Sequence, residues 1–505
     1  MTDRPRRAIL VLGDQLDIEA KILRESDPAR DVIVMTEARE EAVYVNQHKK
    51  RLVLFFAAMR HFAEALRAAG WTVRYLALDG PEPVETLVDG AARVEAAEVH
   101  VTEPGDWRVA EALRRRFNGL VVWEDTHFLS SPAEFAEWRA GRKRFILEDF
   151  YRMKRRQTGW LMEGDQPVGG VWNLDKENRR SFGKGGPGQT PGRPETVPDD
   201  MTRAVMAMVE RFFPSAPGST EGFAEAVTRG AALVHLRHFI EHRLPLYGDF
   251  QDAIATGQST LYHARLSAYL NLKLLDPREV CAAAMEAYEE GHAPLNAVEG
   301  FVRQVLGWRE FIRGVYFCEM PGYAGLNGLE AEADLPAFFW TGETEMACLA
   351  DCLGQLVREA YAHHIQRLMV AGLFSMLWGA RPYRFHEWHM EMYLDSVDWV
   401  SLPNTLGMSQ HADGGIVGTK PYAASGAYIS RMSDCCARCP YDPKLAVGPT
   451  ACPFTTLYWD FLARHEGRFR RNRRMAMQMK NLDRRKDQDL LEVRRAAEAV
   501  RHRIC

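Results

Sequence analysis

Two groups of residues could do chemistry by their type and spacing. The first is a run of cysteines in the second half of the chain. Cys435-Cys436-Ala437-Arg438-Cys439-Pro440 is followed by Ala451-Cys452-Pro453-Phe454, with Cys348 and Cys352 upstream. A Cys-x-x-Cys pair sets two thiolates on one turn, near enough to grip a metal ion or the edge of a cluster. Cys452 adds a third sulfur, and Cys348 or Cys352 can supply a fourth. Four thiolates suit a structural zinc or a [4Fe–4S] cluster, and spacing does not choose between the two metals. Nor does it choose between Cys435 and Cys436, or between Cys348 and Cys352. Several separate buried thiols are the plain alternative, because cysteine packs as a small apolar side chain. Cys281 and Cys318 stand alone and read as core thiols, and Cys505 as a terminal, exposed one. The second group is His363-His364. Histidine titrates near neutral pH and can pass on a proton. Helix neighbours point about 100° apart, so only one of the two can face a given pocket. The competing reading is a hydrogen-bonded structural pair at a helix interface.

These residues need a frame. The first 130 residues alternate short apolar runs with amphipathic stretches, and the runs Ala8–Leu12, Asp31–Met35, Thr72–Leu78, Glu98–Val101 and Leu120–Trp123 read as strands. Between them, Leu52–Ala69 has helical spacing. Such alternation predicts a Rossmann-like parallel sheet with helices on both faces. Ligands of such sheets bind beyond the carboxyl ends of strands. Asp14, Gln15 and Glu37 follow two of those ends. Residues 131–180 read as helical, with a basic run that includes Arg139, Arg142, Lys143, Arg144, Arg152 and Lys154. Residues 182–198 are rich in glycine and proline and read as a long loop, without the spacing of a phosphate-binding P-loop. From about residue 201 strand signals vanish. Helical patterns cover Ala224–Glu241, Pro277–Glu290, Leu295–Gly314, Met346–Gly372 and Asp460–Arg503. The expected organisation is an α/β domain over 1–130, a connector over 131–200 and a large all-α domain over 201–505.

The net charge of −4 excludes a polycation, so any nucleic-acid contact needs a local basic surface. Arg464–Arg485, with Arg468, Arg470, Arg471, Arg473, Arg474, Lys480, Arg484 and Arg485, is one candidate. No apolar run reaches the ~18 residues of a membrane helix. The start of the sequence lacks the pattern of a secretory signal, which predicts a cytoplasmic protein and argues against a disulfide framework.

Several longer motifs resemble one family. Cys436–Tyr441, Ala451–Phe454, Leu457–Trp459, Tyr361–Met369 and Leu402–Ser409 are similar to segments of the bacterial iron–sulfur cryptochromes and prokaryotic (6-4) photolyases. So are Leu12–Leu16, His48–Lys50 and Glu103–Arg108. The likeness spans essentially the whole chain. It implies an antenna-binding α/β domain, an all-α FAD domain, a [4Fe–4S] cluster and a 6,7-dimethyl-8-ribityllumazine antenna. The implied activity is that of a lyase: light-driven repair of (6-4) pyrimidine–pyrimidone lesions in UV-damaged DNA by a monomer. Carried over by motif, the cluster ligands are Cys348, Cys436, Cys439 and Cys452, which sets Cys352 and Cys435 aside. Cys435 stands where the family usually has an aromatic residue.

The resemblance also implies site residues. Tyr262, His263, Leu266, Ser267, Asn271, Arg309, Ser401, Asn404, Met408 and His411 are implied to hold FAD. Gln304, Trp308 and Tyr422 line the lesion pocket, His364 donates a proton and His363 supports it. Trp340, Trp388 and Tyr428 match the electron-transfer aromatics, and Asp14, Gln15 and Glu37 face the antenna. Two departures matter. Ser401 stands where relatives carry a glutamate near flavin N5, and a serine cannot hold that charge. His389 follows Trp388 where relatives often have tyrosine, which puts one branch of the relay in question. Two other functions stay open. One is a cryptochrome photosensor acting through a partner, whose identity the sequence does not give. The other is an iron–sulfur nucleic-acid-binding protein without photochemistry, akin to the large primase subunit.

Overall fold

The run Ala8–Leu12 is apolar at every position, which suits a strand covered on both faces. In the computed structural model, which describes residues 5–142 and 144–504, it forms the centre of a five-stranded parallel sheet. Lys143 and Cys505 lie outside the described residues. The strands are β1 (Arg7–Leu10), β2 (Asp31–Thr36), β3 (Thr72–Leu76), β4 (Glu98–Thr102) and β5 (Val121–Trp123), in the order β3-β2-β1-β4-β5. Side chains alternate between the faces. Ala8, Leu10, Val32, Val34 and Val101 pack against Val109 and Leu113 on one side. Ile9, Val11, Ile33 and Met35 pack against the helix Lys49–Ala68 on the other. The strand order reverses between β1 and β4, so a crevice opens at their carboxyl ends.

The core does not stop at the expected boundary near residue 201. Val205 and Met208 of the helix Asp200–Phe212 share one apolar cluster with Phe56, Phe62 and Leu66. The 182–198 segment is a loop, and it is pinned rather than free. Phe182 stacks on Phe250 at 4.7 Å, Thr196 N donates to Ala224 O, and Thr196 Oγ1 meets His235 Nε2 at 3.2 Å.

The helical half differs from the sequence reading in continuity. The stretch Met346–Gly372 is broken. The helix Ala347–Glu359 ends at Ala360, whose φ of 53° is left-handed, and a new helix begins at His364. Leu295–Gly314 runs on to Glu319 with a π-helical segment inside it, and Asp460–Arg503 divides into several helices. Ala224–Glu241 starts later, at Arg229 behind a Thr228 cap. Among the described residues of 131–180, only Pro132–Arg139 and Leu147–Thr158 form α-helices. Two of their basic residues are internal: Lys154 is buried against Glu134 and Leu129 O, and Arg155 reaches Trp160 O and Trp172 O, while Arg156 is exposed.

Candidate active site and cysteine pocket

A cavity of about 1160 Å³ occupies the helical half. Three π-helical segments border it: Arg303–Arg309, Arg367–Gly372 and Asn404–Ser409. A π turn holds an extra residue and re-aims the side chains around it, which is why such turns gather at functional sites. They turn Gln304, Trp308, Arg309, Asn404 and Met408 to the cavity. The sequence gives little warning of them, because the apolar spacing of an α-helix continues straight through.

The floor is an ion pair. Arg367 Nη1 and Nη2 donate to the two Asp395 oxygens at 2.9 and 3.0 Å. Ser267 Oγ donates to the same carboxylate, and Asn271 Nδ2 donates to Asp395 O at 2.8 Å. Burial raises the Asp395 carboxyl, but Arg367 outweighs it and holds that group below the usual range. Ser267 and Asn271 therefore touch the cavity with their polar groups already engaged. Arg309 is held by Glu310, by His127 Nδ1 at 3.0 Å and by the face of Phe128 at 4.0 Å.

His364 is exposed to the cavity, where desolvation by the surrounding walls and then the Arg367 charge push it down to about 4. The two histidines do not share a helix as neighbours. His363 is the extended residue before the helix, fully buried, and stacks on His263 at 4.3 Å. Burial also presses His263 down to about 3. Tyr422, Tyr428, Ser401 and Leu266 line the same cavity. Tyr262 and His411 do not. Tyr262 belongs to an aromatic cluster with Phe182 and Phe250, and His411 is buried behind the wall. Trp388 is fully buried among Phe339, Phe385, His389 and Tyr393, and its Nε1 donates to Phe339 O. Trp340 lies nearer the surface, bonded to Glu391 and covered by Arg384. His389 joins this group to the cavity and stacks on Tyr393 at 4.2 Å.

The residues fit a large polar cofactor. Among the described residues, His263 Nε2, Arg265 Nε, Arg303 Nη2, Arg309 Nε and His389 Nδ1 are buried without a hydrogen-bond partner, and all five residues line this cavity. Buried polar atoms cost free energy when unpaired, so orphans gathered around one space mark where a ligand belongs.

A second cavity, about 130 Å³, lies at the sheet crevice. Asp14 and Glu37 line it; Gln15 does not, because its Nε2 turns to Thr102 O at 3.0 Å. Glu37 accepts from Arg60 twice, from Tyr75 and from Leu78 N, which fills a carboxylate's acceptor sites. Asp106, Asp398, Tyr44 and Arg51 also line it. Burial and Asp398 push Asp106 up to about 7. Of these four, only Asp106 carries a signal in the sequence, inside the motif Glu103–Arg108.

Cys348, Cys435, Cys436, Cys439 and Cys452 line one small apolar pocket, and Cys352 is buried elsewhere against Gln366 O. Among the described residues, no three His, Cys, Asp or Glu side chains form a group that could hold a single metal ion. The pocket walls nevertheless leave room between the thiols. At Gly426 a Cβ would sit 2.8 Å from Cys452 Sγ. The donor set and this cleared wall fit a group larger than one ion.

Most of the basic residues of the C-terminal segment are exposed, and some are paired. Arg464 is tied to Asp460, Arg470 to Glu466 and Asp483, and Arg485 lies on Trp459. Arg474 alone of the eight named basic residues reaches the cavity, where Arg179, Lys420 and Arg431 join it.

A parallel sheet domain leading into a helical domain around one large cavity is the architecture of photolyases and cryptochromes. A class III photolyase from Agrobacterium tumefaciens superposes with a TM-score of 0.56 at 15% identity, over 86% of this chain and 87% of that one. A cryptochrome from Synechocystis sp. PCC6803 gives 0.53 at 14%, over 86% and 89%. Residues 9–224 match the family described as deoxyribodipyrimidine photo-lyase-related protein. A (6-4) photolyase of Agrobacterium fabrum is 46% identical over 488 residues, covering 93% of this chain and 94% of the relative. This chain belongs to the photolyase–cryptochrome family. Among the described residues no helix is long and apolar enough to cross a membrane.

Proposed function

We propose that this protein repairs (6-4) photolesions in DNA under light, as a cytoplasmic lyase with FAD in the large cavity. The observation that carries the reading is His364. It opens into the same cavity as Gln304, Trp308 and Tyr422, with basic Arg179, Lys420, Arg431 and Arg474 around it. Reduced FAD, when bound, supplies the light-driven electron. The chain does the rest. Arg367, Asp395 and Arg309 fix the floor, and the orphaned groups of His263 and Arg265 bind the cofactor's polar atoms. Gln304, Trp308 and Tyr422 hold a flipped-out lesion, whose entry requires the damaged bases to leave the stack. His364 delivers a proton to it. With its proton affinity depressed in the free protein, His364 is neutral at pH 7, and the DNA anion must raise that affinity first. Trp340 and Trp388 carry electrons inward from the surface, with Tyr428 on the cavity wall as a further donor.

The sheet crevice takes the antenna, a ribityllumazine, and the cysteine pocket takes a [4Fe–4S] cluster on Cys348, Cys436, Cys439 and Cys452. Residues 1–130 thus gather light, 131–200 connect, and 201–505 hold FAD and the cluster. The test is blue light plus reductant on DNA bearing one defined (6-4) lesion. Restored bases support the reading. No repair by a protein that holds flavin leaves the photosensor reading, which Ser401 on the cavity wall favours.

A further inference from the structure

We propose that Cys435 is a reserve ligand of the cysteine pocket, able to take the place of Cys436. The inference rests on reading that pocket as an iron–sulfur site. Five thiols border it, one more than a cluster of that kind takes from the protein. Cys435 and Cys436 are neighbours on the single tight turn Cys435–Arg438. In a three-residue turn successive side chains diverge by about 120°, so adjacent residues ordinarily serve different surroundings. Here both reach one pocket, which Cys348, Cys439 and Cys452 also line.

Cys435 is also free to change partners. It is 3% exposed, and its sulfur lies 3.6 Å from Thr256 Oγ1. That hydroxyl donates to Asp434 Oδ1 at 2.8 Å, which leaves it accepting a weak S–H bond from Cys435. Giving up so weak a bond costs little against an iron–thiolate bond. The exchange needs only a shift within one short turn. No other proposed ligand has such a neighbour: Cys439 is flanked by Arg438 and Pro440, Cys452 by Ala451 and Pro453, and Cys348 by Ala347 and Leu349. The pocket is therefore unequal. One corner is doubled and three are single.

Iron and acid-labile sulfide per chain, with visible absorption, are measured for wild type, Cys435→Ala, Cys436→Ala, the double variant and Cys439→Ala. Wild type and Cys435→Ala should carry the full cluster. Cys436→Ala should keep about half or more of that iron with an altered spectrum, while the double variant and Cys439→Ala lose it about tenfold or more. Cys436→Ala as empty as the double variant overturns the proposal. A wild type without iron instead overturns the reading of the pocket. If Cys436→Ala is recovered only as aggregate, it is refolded beside the double variant with ferrous iron and sulfide; equal iron uptake by the two refutes the reserve role, and uptake by the single variant alone supports it.

Discussion

The two larger cavities are built in different ways. The sheet crevice is set by topology: strand order reverses between β1 and β4, and loops after the strand ends bring Asp14 and Asp106 together. Glu37 in its wall is saturated, and among the described residues Arg51 Nε is the one lining atom buried without a partner. The helical cavity is about 1160 Å³ against about 130 Å³ and has no such backbone frame. Three π segments and one helix break shape it, and it keeps several buried polar groups unpaired. A saturated wall selects by shape, whereas unpaired groups wait for a charged partner. Changes at the two sites should therefore fail in different ways.

The largest expected effect is at His364. His364→Ala should cut repair by about 10²–10⁴, the usual worth of a placed acid, while flavin absorption stays. In the wild type, binding lesion DNA near pH 6 should take up a proton, because an anion raises a histidine now held at about 4; the variant should not. Calorimetry in buffers of different ionisation enthalpy reads this, and equal uptake by both assigns the proton elsewhere.

Next is Asp395→Ala, which strands Arg367 and should cost about 3–5 kcal/mol. FAD should be lost and the antenna retained. Loss of both, seen by chromophore extraction, would show that the two cavities are one cooperative unit.

The joint between them comes third. His48 lies in the connection, with Nε2 donating to Val357 O at 2.9 Å and Nδ1 accepting from Lys50 N at 3.1 Å. Protonation would abolish the Nδ1 bond, because only the neutral ring accepts there, while the Nε2 donation survives. Burial, as the largest cause, depresses it from 6.5 to about 4. A depressed histidine contributes stability above its unfolded value and loses it as pH falls. Unfolding midpoints should thus drop between pH 6.5 and 4, by up to about 3 kcal/mol at 1.36 kcal/mol per unit. His48→Gln should flatten that slope, and an unchanged slope would assign the acid sensitivity to other buried histidines.

The smallest effect should follow Gly105→Ala. The added Cβ would meet Trp399 Cδ1 at 2.6 Å and Asp14 Oδ2 at 3.0 Å. Antenna occupancy should fall about tenfold, near 1.4 kcal/mol, with FAD unchanged. Equal occupancy would mean that the crevice wall yields.

The sequence by itself determined the frame and the chemistry available. Ala8–Leu12 and Asp31–Met35 could only be buried strands, since each is apolar almost throughout, and the five cysteines of the pocket were visible as a group. Tertiary structure decided which of them meet. Regular spacing through Arg303–Arg309 hides an extra residue per turn, because a π segment costs one backbone register and changes no side-chain type. The break at Ala360 was equally silent: it depends on Leu394 N donating to Ala360 O from far along the chain. That contact separates His363 from His364, burying one and opening the other to the cavity. Tertiary packing likewise brings Cys435 to the same pocket as the other four thiols. Local propensity acts over a few residues. The choice of partners depends on contacts far apart in the chain, and those exist only once it has folded.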